Sequence, residues 1–156
     1  MGREYCICPP KLTTLESSDI PTLVTKSSPW THRKAVEKLA RCFRRELKFD
    51  FVPFLAKYGQ SADDPTYEAY LFHETQFNLL YEDRDTEIVC GGAACFVNRN
   101  EGWVLKWVWF HPYFRGRGLL WKSWTNFRSR YGDFEIERPL SPAMEKFLRK
   151  IEGSVT

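Results

Sequence analysis

Two arginines and two glycines alternate at Arg115, Gly116, Arg117 and Gly118, between an apolar run and a helical pattern. Glycine lets backbone N–H groups approach an anion closely, because it has no side chain and tolerates left-handed backbone conformations. The start of a helix carries a partial positive charge, and the two guanidinium groups add to it. This spacing therefore predicts a binding turn for a phosphate or pyrophosphate group.

The residues on either side predict the elements that hold this turn. The run from Trp103 to Phe110 is apolar, aromatic and β-branched except at Lys106, which is typical of a strand covered on both faces. Pro112 ends the run because proline cannot donate to a sheet ladder. After the turn, an apolar stripe at helical spacing predicts a helix: Leu120, Trp124 and Phe127.

The segment from His111 to Leu120, HPYFRGRGLL, resembles the acyl-CoA-binding motif of the GNAT superfamily of N-acetyltransferases. That motif is Arg/Gln-x-x-Gly-x-Gly/Ala after a hydrophobic strand, and Arg115 and Gly118 match its first and fourth positions. Leu120 departs from the small sixth residue, so the resemblance implies that Leu120 contributes through its backbone alone. A tight strand–helix turn with solvated arginines is the alternative explanation of the same residues.

The resemblance covers roughly residues 77–151 and implies an acetyl-CoA-dependent N-acetyltransferase, with acetyl-CoA as cosubstrate and an unidentified amine as acceptor. It implies one domain over residues 1–156, a length that fits a single core. The implied fold is α+β (α/β), with a mixed, mostly antiparallel central sheet, flanking helices and a short C-terminal end. In this family the strand before the loop bonds pantetheine and the loop holds the pyrophosphate, which implies these acetyl-CoA-binding residues: Trp107, Val108, Trp109, Arg115, Gly116, Arg117, Gly118, Leu119 and Leu120.

Acyl transfer to an amine needs a group that accepts the amine proton. Glu137 is the first choice, because it ends a predicted strand that the resemblance places beside the mouth of the cleft for the pantetheine arm of CoA. Glu101, Glu135 and His111 are the other candidates for the base. Each glutamate is also explained as a solvated surface acid.

Ser141 is included among the catalytic candidates because it lies four residues after Glu137. The cohesin acetyltransferase branch of the GNAT proteins has a similar Asp-x-x-Pro-Ser arrangement, and also a Trp-Val-Trp before its loop, as at residues 107–109 here. This short similarity implies a protein-lysine acceptor. Ser141 is equally explained as the N-cap of the last helix.

Family members often have Asn-x-x-Ala-x-x-x-Tyr in the last helix, and the tyrosine protonates the departing thiolate. Aligned on Ala143, this chain has Leu140 at the asparagine and Phe147 at the tyrosine. Phenylalanine has no acidic proton, which favours the alternative of a GNAT-like protein that binds CoA without catalysis. Tyr113 and Tyr131 are further candidates for the acid.

The 156 residues include 23 Lys and Arg against 20 Asp and Glu, a net charge of +3 at neutral pH. This mild excess favours an anionic ligand but does not by itself indicate nucleic acid. Basic residues interleaved with aromatic residues from Tyr113 to Arg130 keep a nucleic-acid-binding module as a further alternative. The near balance of acidic and basic residues makes nucleic acid the less favoured partner.

Five scattered cysteines and the lack of a signal-peptide pattern predict free thiols and a cytoplasmic location. Cys6 and Cys8 form a Cys-x-Cys pair without a second pair at ligand spacing, so we expect no metal site. No apolar run approaches membrane-spanning length, so we expect no membrane partner. The shortened sheet and the aromatic surface residues favour a homodimer.

The first half of the chain predicts a loop followed by a helix. Residues 16–28 are rich in Ser, Thr, Asp and Pro and predict a loop. Ser28 is the expected N-cap, with Pro29 inside a helix that has a basic outer face. Solvation explains such a face best, and docking of an acidic partner is the alternative. Residues 50–58 predict a short helix or a buried irregular segment, and residues 66–74 fit a helix turn or a strand.

The second half predicts a three-stranded antiparallel meander over residues 77–81, 87–97 and 103–110, which is the order of GNAT proteins. Gly91 and Gly92 within it predict a bulge or a close backbone approach. A further strand over residues 134–137 and a final helix capped by Ser141 and Pro142 complete the chain.

Overall fold

Alternating apolar and aromatic residues form a central sheet that three helices cover. The computed structural model describes residues 10–12, 20–77, 86–99 and 102–154. In the described part of the chain the strands are β1 Lys11–Leu12, β2 Thr22–Val24, β3 Thr66–Phe77, β4 Thr86–Arg99, β5 Gly102–Phe110 and β6 Glu135–Ile136. The helices are α1 Trp30–Leu47, α2 Leu119–Tyr131 and α3 Pro142–Ser154.

The sheet is mixed and mostly antiparallel. Five strands follow the order β2-β3-β4-β5-β6, and β1 pairs with β4 beyond the end of β5. Every pair is antiparallel except β5 with β6, which is parallel, as a strand–helix–strand connection requires. The predicted α+β fold class, with its mixed, mostly antiparallel sheet and flanking helices, is confirmed.

Side chains of successive residues point to opposite faces of the sheet, and each face has its own core. Helix α1 covers one face, where Val36 and Leu39 pack with Trp107 and Trp109 of β5. Helix α2 covers the other face, where Trp124 and Phe127 pack with Leu105 and the neighbouring strands, and α3 packs at the edge of the same cluster. Trp107 and Trp109 therefore face α1, whereas Trp103, Val108 and Phe110 face α2 and α3.

Two β-bulges interrupt the pairing of β4, one with β3 and one with β5. Phe72 of β3 pairs with Gly92 and His73 pairs with Cys90, so Gly91 is the extra residue, as the sequence predicts. A Cβ added to Gly91 would lie 2.3 Å from the ring of Phe114, which confirms the close approach. In the β4–β5 pair the register shifts at Lys106, which is the extra residue of β5.

The strands β5 and β6 run together for only a short distance. Val104 and Leu105 pair with Glu135 and Ile136, and the Glu137 N–H donates to the Leu105 carbonyl at 2.9 Å. The pairing ends there, and the bulge at Lys106 lies at the same point. Among the described residues, the later part of β5 consequently has a β-strand neighbour on one side only.

The first half of the chain differs from the sequence prediction in two places. The loop predicted over residues 16–28 contains β2, because Thr22–Val24 pairs with β3 and Val24 is fully buried, so tertiary pairing outweighs the local polar composition. Pro29 occupies the N-cap position, and Ser28 Oγ instead accepts a hydrogen bond from the Thr25 N–H at 2.8 Å. The expected N-cap at Ser28 is therefore wrong by one residue.

The open alternatives are resolved by burial and pairing. Residues 50–58 form an irregular segment in which Phe54 and Ala56 are almost completely inaccessible, whereas Phe51 is exposed. Residues 66–74 belong to β3, so the first strand of the meander begins much earlier than predicted. Of the predicted strand over residues 77–81, only Phe77 lies within the described residues. The strand and helix predicted in the last 25 residues are confirmed as β6 and α3.

Candidate functional site

A cleft of about 730 Å³ lies beside the end of β5, past the point where β5 and β6 diverge. We call it the large cleft. Four segments contribute its walls: the last turn of α1, the end of β5, the loop into α2, and the first turns of α3. Its lining residues include Glu46, Leu47, Val108, Phe110, Arg115–Trp121, Met144, Phe147 and Lys150.

The turn at residues 115–118, here called the glycine loop, forms one end of the large cleft. Gly116 and Gly118 have φ values of 77° and 72°, a conformation that other residues adopt with strain. A Cβ on either glycine would meet no atom within 4 Å, so both positions face open space. Gly118 is the N-cap of α2, and its carbonyl accepts from the Lys122 N–H at 2.9 Å. The N–H groups of the first turn therefore have no intrahelical acceptor, and their residues line the large cleft.

The two arginines of the glycine loop are already paired within the protein. Arg115 donates to Glu46 at 2.6 Å and to the Phe110 carbonyl at 2.8 Å. Arg117 donates to Glu74 at 2.7 Å, and its guanidinium lies over the Phe114 ring. In this structure the arginines position the loop, and the backbone N–H groups are the donors left for a ligand. Leu120 packs into the core beneath α2 and is buried.

The end of β5 presents backbone groups to the large cleft. Trp107 and Trp109 pair directly with β4, and the His111 N–H donates to the Gly91 carbonyl at 2.7 Å. Because hydrogen-bonding direction alternates along a strand, the N–H and carbonyl of Val108 point away from β4, where β6 no longer runs. Val108 thus offers one backbone donor and one acceptor in the position that the sequence prediction assigned to pantetheine contacts.

A second cavity of about 220 Å³ lies where β5 and β6 separate, and we call it the second cavity. It shares Leu47, Val108, Ser141, Pro142 and Met144 with the large cleft. Residues from the α1 side also line it: Phe43, Phe49, Lys106 and Trp107. The lining of the second cavity therefore includes residues from both faces of the sheet, at the point where β5 and β6 separate.

Two of the predicted catalytic residues line the second cavity. Glu137 contributes to its wall and its carboxylate accepts from Arg99 at 3.3 Å. Ser141 Oγ accepts from the Met144 N–H at 3.1 Å, so its N-cap role is observed directly, and it lines both cavities. Glu135 is exposed at the start of β6 and lines neither. Glu101 lies outside the described residues.

The remaining acid and base candidates are held in structural contacts. His111 is buried, and its Nδ1 accepts from the Tyr113 N–H at 3.2 Å. Tyr131 donates to Glu68 at 2.6 Å and lies 2.7 Å from the Tyr70 hydroxyl, at the end of α2 away from the cleft. Burial, followed by the hydrogen bond to Glu68, raises the pKa of Tyr131, which opposes its use as a proton donor at the cleft.

Phe147 lines the large cleft with its ring 5.0 Å from that of Trp124. Phenylalanine has no acidic proton, so Phe147 supplies no acid to the large cleft. Sequence reasoning missed the residues of the last α1 turn, Glu46 and Leu47, which line the cleft at helical spacing from Phe43. The sequence shows the helical stripe that contains Phe43 and Leu47. It does not show the packing of α1 on the sheet, which brings the end of that helix to the glycine loop.

The basic residues near α2 are largely neutralised by internal partners. Arg115 and Arg117 pair with glutamates, Arg130 pairs with Glu68, and Arg128 lies over the rings of Trp124 and Phe134. This arrangement leaves a weaker positive surface than the sequence suggested for nucleic acid.

Other chemistry-bearing groups are buried and spread out. Cys42, Cys90 and Cys95 are free and buried, and burial raises the pKa of both Cys90 and Cys95 to about 12. No cluster of three or more potential metal ligands occurs within residues 10–12, 20–77, 86–99 and 102–154. Over the same residues, none of the helices has the length and apolar character needed to cross a bilayer.

Comparison with known proteins found no similarity to this chain in protein-family models, in curated proteins or in solved structures.

Proposed function

We propose that this protein is an acetyl-CoA-dependent N-acetyltransferase that acts on an amine. The observation that carries the proposal is the meeting of three features in one cleft. The glycine loop at the start of α2, the unpaired edge of β5 at Val108 and the wall of α3 all line the same 730 Å³ space. Clefts of this size suit elongated ligands of the kind that an acyl-CoA represents.

The residues around the glycine loop fit the phosphate groups of CoA. The first-turn N–H groups of α2 would donate to the pyrophosphate, because Gly116 and Gly118 leave open space in front of them. Lys150 lines the same cleft and supplies a further cation for phosphate. Leu119, Leu120 and Trp121 follow Gly118 in the first turn and take part through their backbones.

The chemistry requires an activated acyl group, which acetyl-CoA supplies as a thioester. The Val108 N–H, directed into the cleft, would polarise the thioester carbonyl as an oxyanion-hole donor. Glu137, in the adjoining cavity, would accept the proton of the amine. Ser141 holds the start of α3 and thereby positions Met144 and Phe147 along the cleft. We assign no acid to the leaving thiolate, which takes its proton from solvent.

The test is thermal melting with acetyl-CoA, CoA and ATP, followed by mass-spectrometric detection of acetylated amines. A ligand that binds only the folded state at about 100 times its Kd adds roughly 2.7 kcal/mol of stability. We expect stabilisation by acetyl-CoA and CoA, little effect of ATP, and product formation that Glu137→Gln lowers. Stabilisation without product from any amine would favour the non-catalytic CoA-binding alternative, which Phe147 in the cleft supports. No stabilisation by either CoA species would overturn the proposal.

A further inference from the structure

The second cavity lies on the acceptor side of the proposed reaction. Its walls include Phe43 and Trp107 of the α1 face and Ile136 of β6, and it shares Val108 and Met144 with the large cleft. The lining of this cavity includes Glu137 and no residue of the glycine loop, so an amine that enters it reaches the Val108 backbone beside Glu137. The residues that line the second cavity would therefore determine which acceptor the protein uses.

Three aromatic side chains form its apolar wall. The rings of Phe43 and Phe49 are stacked, with centroids 5.2 Å apart and an interplanar angle of 7°. Phe43 also contacts Trp107, with centroids 5.7 Å apart. Phe43 and Trp107 are buried in the core, so this wall is fixed before a ligand arrives. Such a wall favours an aromatic or branched apolar group, because ring contacts add to the burial of apolar area.

Only two charged side chains line the second cavity, and they have opposite signs: Lys106 and Glu137. Glu137 accepts from Arg99, whereas no ion pair within the described part of the chain includes Lys106. The two side chains therefore line one cavity without joining each other. A carboxylate and an ammonium that are kept apart match the two charges of a zwitterion.

We propose that the second cavity binds a free α-amino acid with an aromatic or branched apolar side chain as the acetyl acceptor, an inference that rests on the proposed function. The α-ammonium group lies at Glu137 and the α-carboxylate at Lys106. The side chain lies against Phe43, Phe49 and Trp107. The cavity volume of about 220 Å³ is below the roughly 300 Å³ at which sites for drug-sized ligands begin, which suits a single amino acid.

The surroundings disfavour a lysine-rich peptide as the acceptor. The last two turns of α1 contribute Phe43 and Leu47 to the cavity wall and carry Arg41, Arg44 and Arg45 against Glu46, and Lys48 follows directly. The net positive charge of this segment would repel a basic peptide and attract a ligand that carries a carboxylate.

The reaction balances without a further reactant. The ammonium group loses one proton to Glu137 and then to solvent, and the free amine attacks the thioester carbonyl carbon. The new N–C bond forms as the C–S bond breaks, and the nitrogen loses its second proton. The products are the N-acetylamino acid, CoA with its thiol protonated, and one proton released to solvent.

The experiment compares L-phenylalanine with two analogues that lack the carboxylate, phenethylamine and L-phenylalaninamide. Acetylated product is measured by mass spectrometry, and binding of each compound without CoA is measured by calorimetry. We expect kcat/KM for L-phenylalanine to exceed that of both analogues about tenfold, as a charged hydrogen bond predicts. Lys106→Met should raise the KM for L-phenylalanine until its kcat/KM falls to that of phenethylamine. The kcat/KM for phenethylamine itself should not change. Lys122→Met, an exposed lysine on α2 outside both cavities, is the matched control.

The outcomes separate the two proposals. Product from other amines, with L-phenylalanine no better than phenethylamine, would overturn the amino-acid site and leave the acetyltransferase proposal intact. An equal fall in kcat/KM for L-phenylalanine and for phenethylamine in Lys106→Met would also overturn the amino-acid site. A lysine with a purely structural role would have that effect. Failure of acetyl-CoA to stabilise the protein would overturn the acceptor role together with the acetyltransferase. Lys106-dependent binding of L-phenylalanine would then still support the amino-acid site itself.

Discussion

Arg115 Nη2 lies 2.6 Å from Glu46 Oε1, which joins the glycine loop to the last turn of α1 across 69 residues of sequence. Both side chains are close to half exposed, so this pair contributes under about 1 kcal/mol to stability. Its larger effect is on the charge of the cleft, because Glu46 lines the same space as the loop and offsets the arginine that would attract a phosphate.

We predict that Glu46→Gln tightens CoA binding about fivefold, because removing one charge a few ångströms away changes the interaction by roughly 1 kcal/mol in a solvent-like environment. Arg115→Gln should weaken binding by a similar factor. Calorimetric titration with CoA measures both, at low and at high salt. Acetyl-N-acetylcysteamine, a thioester without phosphates, is the matched probe and should bind both variants as it binds the original protein. An unchanged Kd for CoA in Glu46→Gln would show that the phosphates of CoA do not bind beside Glu46 at the glycine loop.

Gly118 offers a test that separates backbone strain from ligand binding. Its φ of 72° and the open space at its Cβ position predict that Gly118→Val costs about 1–2 kcal/mol and places a side chain in front of the first-turn N–H groups. Gly132 ends the same helix with a φ of 68° and similarly open surroundings, but it lines neither cavity. Gly118→Val and the control Gly132→Val should both melt at lower temperature, and only Gly118→Val should lose stabilisation by acetyl-CoA. An equal response to acetyl-CoA in the two variants would contradict binding at the glycine loop.

The order of elements around the glycine loop could be predicted from sequence because each signal is local. The apolar run of β5, the glycines and the stripe of α2 are contiguous, and the paired glycines of β4 predicted the bulge at Gly91. Contacts between distant segments have no such signal. Nothing near Arg115 indicates Glu46 as its partner, and β2 lies in a polar segment that only its pairing with β3 makes a strand.

Gly91 should be intolerant of any side chain, because its Cβ would lie 2.3 Å from the ring of Phe114. We predict that Gly91→Ala lowers the free energy of unfolding by about 1–3 kcal/mol, the range for forced overpacking. Phe114→Ala removes the obstructing ring, so the double variant should lose less stability than the sum of the two single changes. Chemical denaturation of the four proteins measures the coupling. Strict additivity would show that the bulge tolerates a methyl group by another route.

Glu37 should make stability depend on acidic pH. Burial alone would raise the pKa of Glu37, but hydrogen bonds from Lys34 and the Ala56 N–H, with the charge of Arg41, hold it below its usual value. A depressed folded-state pKa means that the unfolded chain binds the proton more readily. The stabilisation is therefore complete above about pH 4.5 and is lost as the pH falls further, through the lowered pKa of the folded state.

Glu37→Gln keeps an acceptor for the Ala56 N–H but removes the charge. We expect it to reduce stability at pH 7 by about 1–2 kcal/mol and to flatten the fall in melting temperature below pH 4.5. Glu37→Ala, which also leaves a buried N–H without its acceptor, should cost more at every pH. Equal melting curves for Glu37→Gln and the original protein across this range would show that Glu37 does not contribute to the acid sensitivity.

His73 should contribute a second transition at milder pH. Burial, and then the nearby His32, lower the pKa of His73, and its Nε2 lies 2.9 Å from Thr22 Oγ1 at the pairing of β2 with β3. The folded state therefore prefers the neutral ring, and the unfolded chain protonates first. Stability should be complete above about pH 6.5 and decline as the pH falls below it, toward the lowered pKa of the folded state. His73→Gln removes this titration and should make the free energy of unfolding less sensitive to pH between about 6.5 and 5.

His32 titrates in the same direction, since burial lowers its pKa as well, so the variant of both histidines should flatten the curve further. Denaturant titrations at half-unit steps of pH measure these slopes, and a slope unchanged by either substitution would place the titrating group elsewhere in the chain.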